Sequence, residues 1–460
     1  MSITVKNGRV FTHQGIIYGA IHAEKGRITW MGMSSNAPDA DMVIDAKGML
    51  VLPGLIDAHC HMRDLKRSAF EDFLSGTMSA AAGGITTVFE MPTTLPPTST
   101  PEAFEKKVHV ASSKAVVDFG LYAGIGSHNI SHIAKLKELG AIAYKTFTMV
   151  YPGREKDMEG LYMADDGSFY TVFNKVAKTP LFCSVHAENY DMIRYFEERV
   201  LAEGGRDLLA YLRAKPGVVE GEAALRALYF GSLTKARVHI AHISAKEVLE
   251  VLTLFRSKGN FTGETCVHYL TFTVDEVAHL GPYGKVSPPL RIKEDQASLW
   301  RAINDGTLSM IVSDHAPFSK EMKERGRDNV FLAQAGFTGL QAMVPVMLTH
   351  MKAGRITLER LVKVMSENPA KIARIYPKKG VIGVGSDADL TVIDPGREWT
   401  IKIDEFYTKD KEGATIYDGF KAIGKPVYTI VRGKVVSEDG VVSASPGYGE
   451  FVRPLARRSL

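Results

Sequence analysis

The sequence predicts an α/β protein: a (β/α)8 barrel of TIM type carrying a small β-sandwich built from both chain ends. Three observations predict it. Both ends are short β-like runs broken by glycine turns. The middle, residues 54–375, alternates apolar strand-like runs with helical patterns, about eight times over, as an eight-fold barrel requires. No GxGxxG follows an early strand, which weakens the doubly wound, dinucleotide-binding alternative.

Taken in order, residues 3–52 contain "ITVKNGRVF", "IIYGAIHAEKGRITWMG" and "DMVIDAKGMLVLPG". Asn7-Gly8 and Lys25-Gly26 read as tight hairpin turns, so this end is expected to be antiparallel. The strand-like runs of the middle are "ITTVFEM", "VVDFGLYAGI", "AIAYKTF", "TPLFCSVHAEN", "ARVHIAHIS", "NFTGETCVHYL" and "LSMIVSDHAP". Between them stand helical patterns such as "DFLSGTMSAAAGG", "SHIAKLKELG", "AKEVLEVLTLFRSKG" and "QASLWRAINDG". The β texture returns in "VIGVGSDADLTVID" and "YTIVRGKVVSEDGVVS". Each end alone is too small to bury a good core, so one shared sandwich is expected. The divisions are 1–53 (sandwich), 54–375 (barrel) and 376–460 (sandwich and an extended tail).

Bulk properties narrow the function. The chain has 460 residues, 45% hydrophobic and 23% charged, which suits a soluble globular protein with room for a barrel and a smaller domain. Its 56 basic and 52 acidic residues are interspersed, giving +4 and no basic block, so nucleic acid is not expected as a partner. Cys60, Cys183 and Cys266 are far apart and form no CxxC pair, which argues against disulfides and thiolate zinc sites. No apolar run reaches membrane-spanning length and the N-terminus lacks a signal-type apolar core, so a cytoplasmic protein without membrane contact is expected.

Barrel enzymes place their chemistry at the C-terminal ends of the strands. The first barrel strand ends in "GLIDAHCHMRD", where His59 and His61 share a face and Cys60 takes the other. Lys145 interrupts "AIAYKTF", His186 ends "LFCSVHAEN", His242 ends "VHIAHIS" and Asp314 ends "LSMIVSDHAP". Any one of these has a plain structural explanation: a lone strand-end histidine is usually just hydrogen-bonded, and Lys145 could snorkel to the surface. His239, three residues before His242, is expected to point the opposite way and be packed. Six candidates at five strand ends are harder to explain so, and neutral imidazoles with a carboxylate are ligands that zinc and similar ions take.

Lys145 sharpens the metal reading. An ammonium beside a cation is repelled, and burial favours the neutral amine. A neutral amine adds carbon dioxide to give a carbamate, an anion whose two oxygens can bridge two cations. Carbamate, Asp314 and a hydroxide would nearly balance two divalent ions.

The set "DAHCH", "YKTF", "HAEN", "AHIS" and "SDHAP", with "NPAKIARIYPKKGVIGVGSDADL" in the tail, resembles the cyclic amidohydrolases of the amidohydrolase superfamily: hydantoinases, dihydropyrimidinases, allantoinases and dihydroorotases. The resemblance implies two divalent metal ions, zinc or else Mn, Co or Fe. His59, His61 and Asp314 would hold the first, His186 and His242 the second, with carboxylated Lys145 bridging. It implies a metal-bridging hydroxide as nucleophile, Asp314 as the catalytic proton shuttle to the leaving nitrogen, and hydrolysis of a ring C–N bond in a small cyclic amide or ureide. It also implies a homo-oligomer, dimer or tetramer, and a tail that lies on a neighbouring subunit.

Segment comparison favours a 5-substituted hydantoin. "EMPTTLPPTST" with "VDFGLYAG" looks most like the L-selective hydantoinases and the allantoinases; "KVSPPLR" and "EGEAALRAL" look like hydantoinases and dihydropyrimidinases. Dihydroorotases pair an arginine after the histidines with an asparagine in "MPNT". Here Arg63 is present, but Thr93 stands in the asparagine's place. Arg63 therefore either reaches substrate, pairs with Asp64 or faces solvent. D-hydantoinases carry a tyrosine five residues after the bridging lysine; here that position is Val150, with Tyr151 one place late. The resemblance further implies that Ser287, Ala335 and Gly336 offer backbone groups to the ring. Loops near 62–72 and 150–160 would wall the pocket, the second either as a lid or as an ordinary surface loop. A noncatalytic scaffold homologue is the reading from another class, and the filled ligand positions oppose it.

Overall fold

The computed structural model describes residues 2–150 and 155–456. Eight parallel strands form the barrel: β1 (Leu55–Cys60), β2 (Ile85–Glu90), β3 (Asp118–Gly124), β4 (Ala143–Phe147), β5 (Phe182–His186), β6 (Arg237–Ile240), β7 (Phe261–Cys266) and β8 (Met310–Val312). Each pairs with the next in chain order. The ring closes where Cys60 bridges His315, just past β8, and the His61 N–H donates to the His315 carbonyl at 2.7 Å. Asp57 fastens the same seam, accepting from the Ser313 N–H at 3.0 Å and its hydroxyl at 2.5 Å. β1, β2 and β3 are buried throughout, which is why they read as continuous apolar runs.

Sequence also explains where the outer helices begin. Asp72, Asp165, Asn189 and Asp207 each accept the backbone N–H three residues on, at the heads of Phe73–Ala82, Asp166–Val176, Tyr190–Ala202 and Leu208–Ala214. The run "NFTGETCVHYL" is not one strand. It stops at Cys266 and turns into the short helix Val267–Thr271.

Both chain ends build one second sheet, as expected. Nine strands are hydrogen-bonded without a break, and they enclose a core including Ile3, Val10, Ile21, Val51, Leu390 and Ile430. The sheet is mixed rather than antiparallel: Ser2–Thr12 pairs antiparallel with Gly15–Glu24 but parallel with Met42–Asp45 and Leu50–Pro53. Lys25-Gly26 does form a hairpin turn, with φ of 49° and 79°. Asn7-Gly8 does not. It is a bulge inside Ser2–Thr12, with Asn7 at φ 56°. Gly8 is required there because a Cβ would stand 2.6 Å from Val51 Cγ2. Among the described residues, no helix is long and apolar enough to cross a membrane.

The described part of the tail lies on this chain's own barrel. Phe119 and Phe451 pair as a parallel bridge, and the Val452 N–H donates to the Phe119 carbonyl at 2.7 Å. The Phe451 ring stacks on Phe119 at 5.6 Å and meets Phe104 edge-on at 6.2 Å. Phe451→Ala is therefore expected to destabilise the fold by about 2 kcal/mol, a partly exposed ring losing two aromatic neighbours. Urea denaturation reads this, and an unchanged midpoint would show the tail to be an ornament.

Candidate metal centre

The six candidate ligands converge at the C-terminal end of the barrel. His59 and His61 leave β1 on one side, while Cys60 turns away and faces the Phe89 carbonyl at 3.3 Å. Both Nε2 atoms lie 3.2 Å from Asp314 Oδ1. One donor atom from each of the three residues falls within 4.8 Å of the others, the spacing a single cation needs. His186 and His242 form a second group, Nδ1 to Nε2 at 2.8 Å. The groups touch: the His59 and His242 rings are 5.4 Å apart.

Lys145 stands among them, 1% exposed, and its Nζ has no hydrogen-bond partner among the described residues. Burial, against the pull of Glu264 and Asp314, lowers its pKa to about 8. Burial likewise lowers His61, to about 3, with Arg63 adding to the effect. It lowers His186, and it lowers His242 strongly with help from His186 and Lys145. These imidazoles are neutral at pH 7, which is the ligating form. For Asp314 burial pulls upward but loses to His59 and His61, and the carboxyl stays well below its ordinary range. An orphaned buried amine, neutral imidazoles and an ionised carboxylate form a donor set that fits divalent cations.

The carboxylates beneath the centre were not singled out from sequence. His59 Nδ1 meets Glu264 Oε1 at 2.5 Å, and His186 Nε2 meets Glu188 Oε2 at 2.9 Å. A glutamate in the middle of the buried run "TGETC" was the legible signal for the first. Glu188 is in turn paired with Lys215 at 2.9 Å. His239 is packed, as expected, but it does not turn away: its Nε2 faces Glu264 Oε2 at 3.0 Å. Glu264 and Glu188 thus fix which ring nitrogen of His59 and of His186 faces the centre.

Above the centre lies a cavity of about 450 Å3. Arg63, Thr93, Ser287 and Ala335 line it, as does the apolar set Phe147, Met149, Met158, Tyr190, Leu201 and Phe318. Arg63 is 6% exposed, donates through Nε to the Pro317 carbonyl at 3.1 Å and lies over the Phe318 ring; Asp64 is held by Lys114. The Thr93 hydroxyl faces His61 Nδ1 at 2.7 Å. The Ser287 hydroxyl donates to Glu188 at 3.0 Å and accepts from Lys215 at 2.7 Å. Gly336 sits behind the wall: its N–H donates to the Lys285 carbonyl and its own carbonyl accepts from Lys323. Arg67 on the first loop bonds Asp157 on the second at 2.7 Å, so the two walls are joined. Met149 reaches the cavity beside Val150, while Tyr151 lies outside the described residues.

Residues 50–436 match the family model described as "Amidohydrolase family". The chain is similar to the L-hydantoinase of Paenarthrobacter aurescens, 36% identical over 454 residues, 98% of this chain and 97% of that protein. It is 36% identical over 414 residues to the allantoinase of Rubrobacter xylanophilus, covering 89% of each. The solved L-hydantoinase (dihydropyrimidinase) from Arthrobacter aurescens superposes with a TM-score of 0.93 at 36% identity, over 98% of this chain and 99% of that one.

Proposed function

The chain belongs to the amidohydrolase family and is a hydrolase of carbon–nitrogen bonds in cyclic amides; within that class we propose that it opens the ring of a 5-substituted hydantoin. The observation that carries this choice is the apolar wall of the cavity. Phe147, Met149, Met158, Tyr190, Leu201 and Phe318 offer a ring substituent apolar side chains in the cavity above the metal centre, among charged groups such as Arg194 and Glu198. Allantoin and dihydrouracil have no apolar substituent to fill it.

His59, His61 and Asp314 would hold one divalent cation and His186 and His242 a second, zinc by preference, with Lys145 as a bridging carbamate. With its pKa near 8, Lys145 is partly neutral at pH 7. Its nitrogen bonds to the carbon of carbon dioxide and releases a proton, leaving an anion. When bound, the two cations lower the pKa of water and polarise a carbonyl. Asp314, kept ionised, accepts the proton of the attacking water. The same carboxyl would then hand that proton to the leaving ring nitrogen. The Ala335 and Ser287 segments line the cavity and would meet the imide edge through their backbones. Arg63, braced on Phe318, would limit the side of the ring nearest β1. The reading includes a cytoplasmic dimer or tetramer, and sedimentation velocity reads the oligomeric state.

The test is a ring-opening assay with zinc- or manganese-loaded protein on L- and D-5-substituted hydantoins, allantoin, dihydrouracil and dihydroorotate. A hydantoin with a bulky apolar substituent is expected to turn over fastest, with the L enantiomer favoured because Val150 replaces the tyrosine of D-selective enzymes. Preference for allantoin or dihydroorotate would overturn the substrate and leave the metal chemistry standing.

A further inference from the structure

β2, β3 and β7 end without any residue of the six-member ligand set. β7 contributes Glu264 instead, and its side chain is 0% exposed. Its Oε1 meets His59 Nδ1 at 2.5 Å and accepts the His242 backbone N–H at 3.3 Å. Its Oε2 meets His239 Nε2 at 3.0 Å, and His239 Nδ1 meets the Thr262 hydroxyl at 2.7 Å. The partners of this buried carboxylate are imidazoles and a peptide N–H. His242 stands at φ 35°, a left-handed backbone that a non-glycine residue keeps only where its surroundings hold it. The other two ligand histidines with an outer partner have private ones: Thr93 for His61 and Glu188 for His186.

We infer that Glu264 is a positioning residue shared by both halves of the centre, fixing the ring of His59 in one half and the backbone turn that presents His242 in the other, with His239 holding the carboxylate in place. This rests on the metal-centre reading above. The consequence is specific. Loss of a private partner loosens one half of the centre. Loss of Glu264 loosens both, because one carboxylate spans β1 and β6. A residue needed only for folding would lower the stability of the metal-free protein without this pattern.

The test titrates metal-free protein with Zn2+ against a chromophoric chelator and records the melting temperature of the same metal-free samples. Wild type, Glu264→Gln, His239→Gln and Thr93→Val are compared. Glu264→Gln is expected to weaken both bound zinc ions by roughly 10–100-fold each. His239→Gln should weaken both by a few-fold, and Thr93→Val should weaken one of the two. Glu264→Gln that leaves either zinc at its wild-type affinity overturns the inference, whatever its melting temperature. If Glu264→Gln does not fold, His239→Gln decides: two weakened ions support the shared role, and one or none overturns it. Wild-type protein that binds no zinc overturns the metal-centre reading, and this inference falls with it.

Discussion

Replacing Lys145 with methionine is expected to remove ring opening by roughly three orders of magnitude or more, as for other residues that act as a unit, while leaving the metal-free fold at least as stable. The two halves of that expectation share one cause. The Lys145 ammonium is buried and has no hydrogen-bond partner among the described residues. A buried unsatisfied donor costs about 1–3 kcal/mol, and methionine fills the same space without it. The pH dependence follows from the lowered pKa. Between about 8 and the ordinary 10.5, the unfolded chain binds a proton at this lysine that the folded chain does not. The penalty is therefore full below pH 8 and fades as the pH rises toward 10.5. The stability advantage of Lys145→Met should shrink over that window. Urea denaturation of metal-free samples at pH 7 and pH 10, beside the ring-opening assay, reads both halves. Retained activity would remove Lys145 from the centre. Parallel loss of activity and stability would make it a structural residue.

The fold was legible wherever burial dictates residue type. Strands covered on both faces must be apolar throughout, and β1 to β3 read so directly. In the structure, capping side chains at Asp72 and Asn189 set helix starts. What failed to read were features set by contacts distant in sequence. Asn7-Gly8 carries the dipeptide of a hairpin turn, but the Gly48 N–H donates to the Asn7 carbonyl and Val51 crowds Gly8, so the pair becomes a bulge. The tail has no pattern of its own because its partners, Phe104 and Phe119, lie over three hundred residues earlier.

The site divides the same way. Strand ends were legible because period and chain order place them, and the structure brings all six candidate ligands to one end of the barrel. The groups behind them were not. Glu264 looks like an error in an apolar strand until His59 and His239 are seen on either side of it. Thr93, in the place where dihydroorotases carry asparagine, lines the cavity, and its hydroxyl faces the ring of His61, a partner that sequence alone does not show. A single chain shows which residues are chemically able, and spatial neighbours decide what each one serves.

The other large effect is expected far from the chemistry, at Lys379. Its side chain is 1% exposed, and its ammonium reaches Asp389 at 2.5 Å, Asp118 at 2.6 Å and Asp387 at 3.1 Å. Those three carboxylates could by spacing hold a metal ion, but the lysine occupies the place a cation would take. The knot joins otherwise separate parts. Asp118 opens β3, Asp387 and Asp389 lead into the second sheet, Arg432 pairs with Asp118, and the Glu450 N–H of the tail donates to Asp118 at 2.9 Å. Lys379→Met leaves three buried carboxylates and one guanidinium, and breaking such a set typically costs about 3–5 kcal/mol. Burial already raises the Asp389 pKa, with Lys379 the strongest opposing influence. Without the lysine it must rise further. A carboxyl whose folded pKa lies above its unfolded value loses stability as the pH climbs through that folded pKa. The deficit of Lys379→Met should therefore be greater at pH 7.5 than at pH 5. Urea denaturation at both pH values tests this. A deficit under about 1 kcal/mol that does not change with pH would mean that water, rather than Lys379, neutralises the knot.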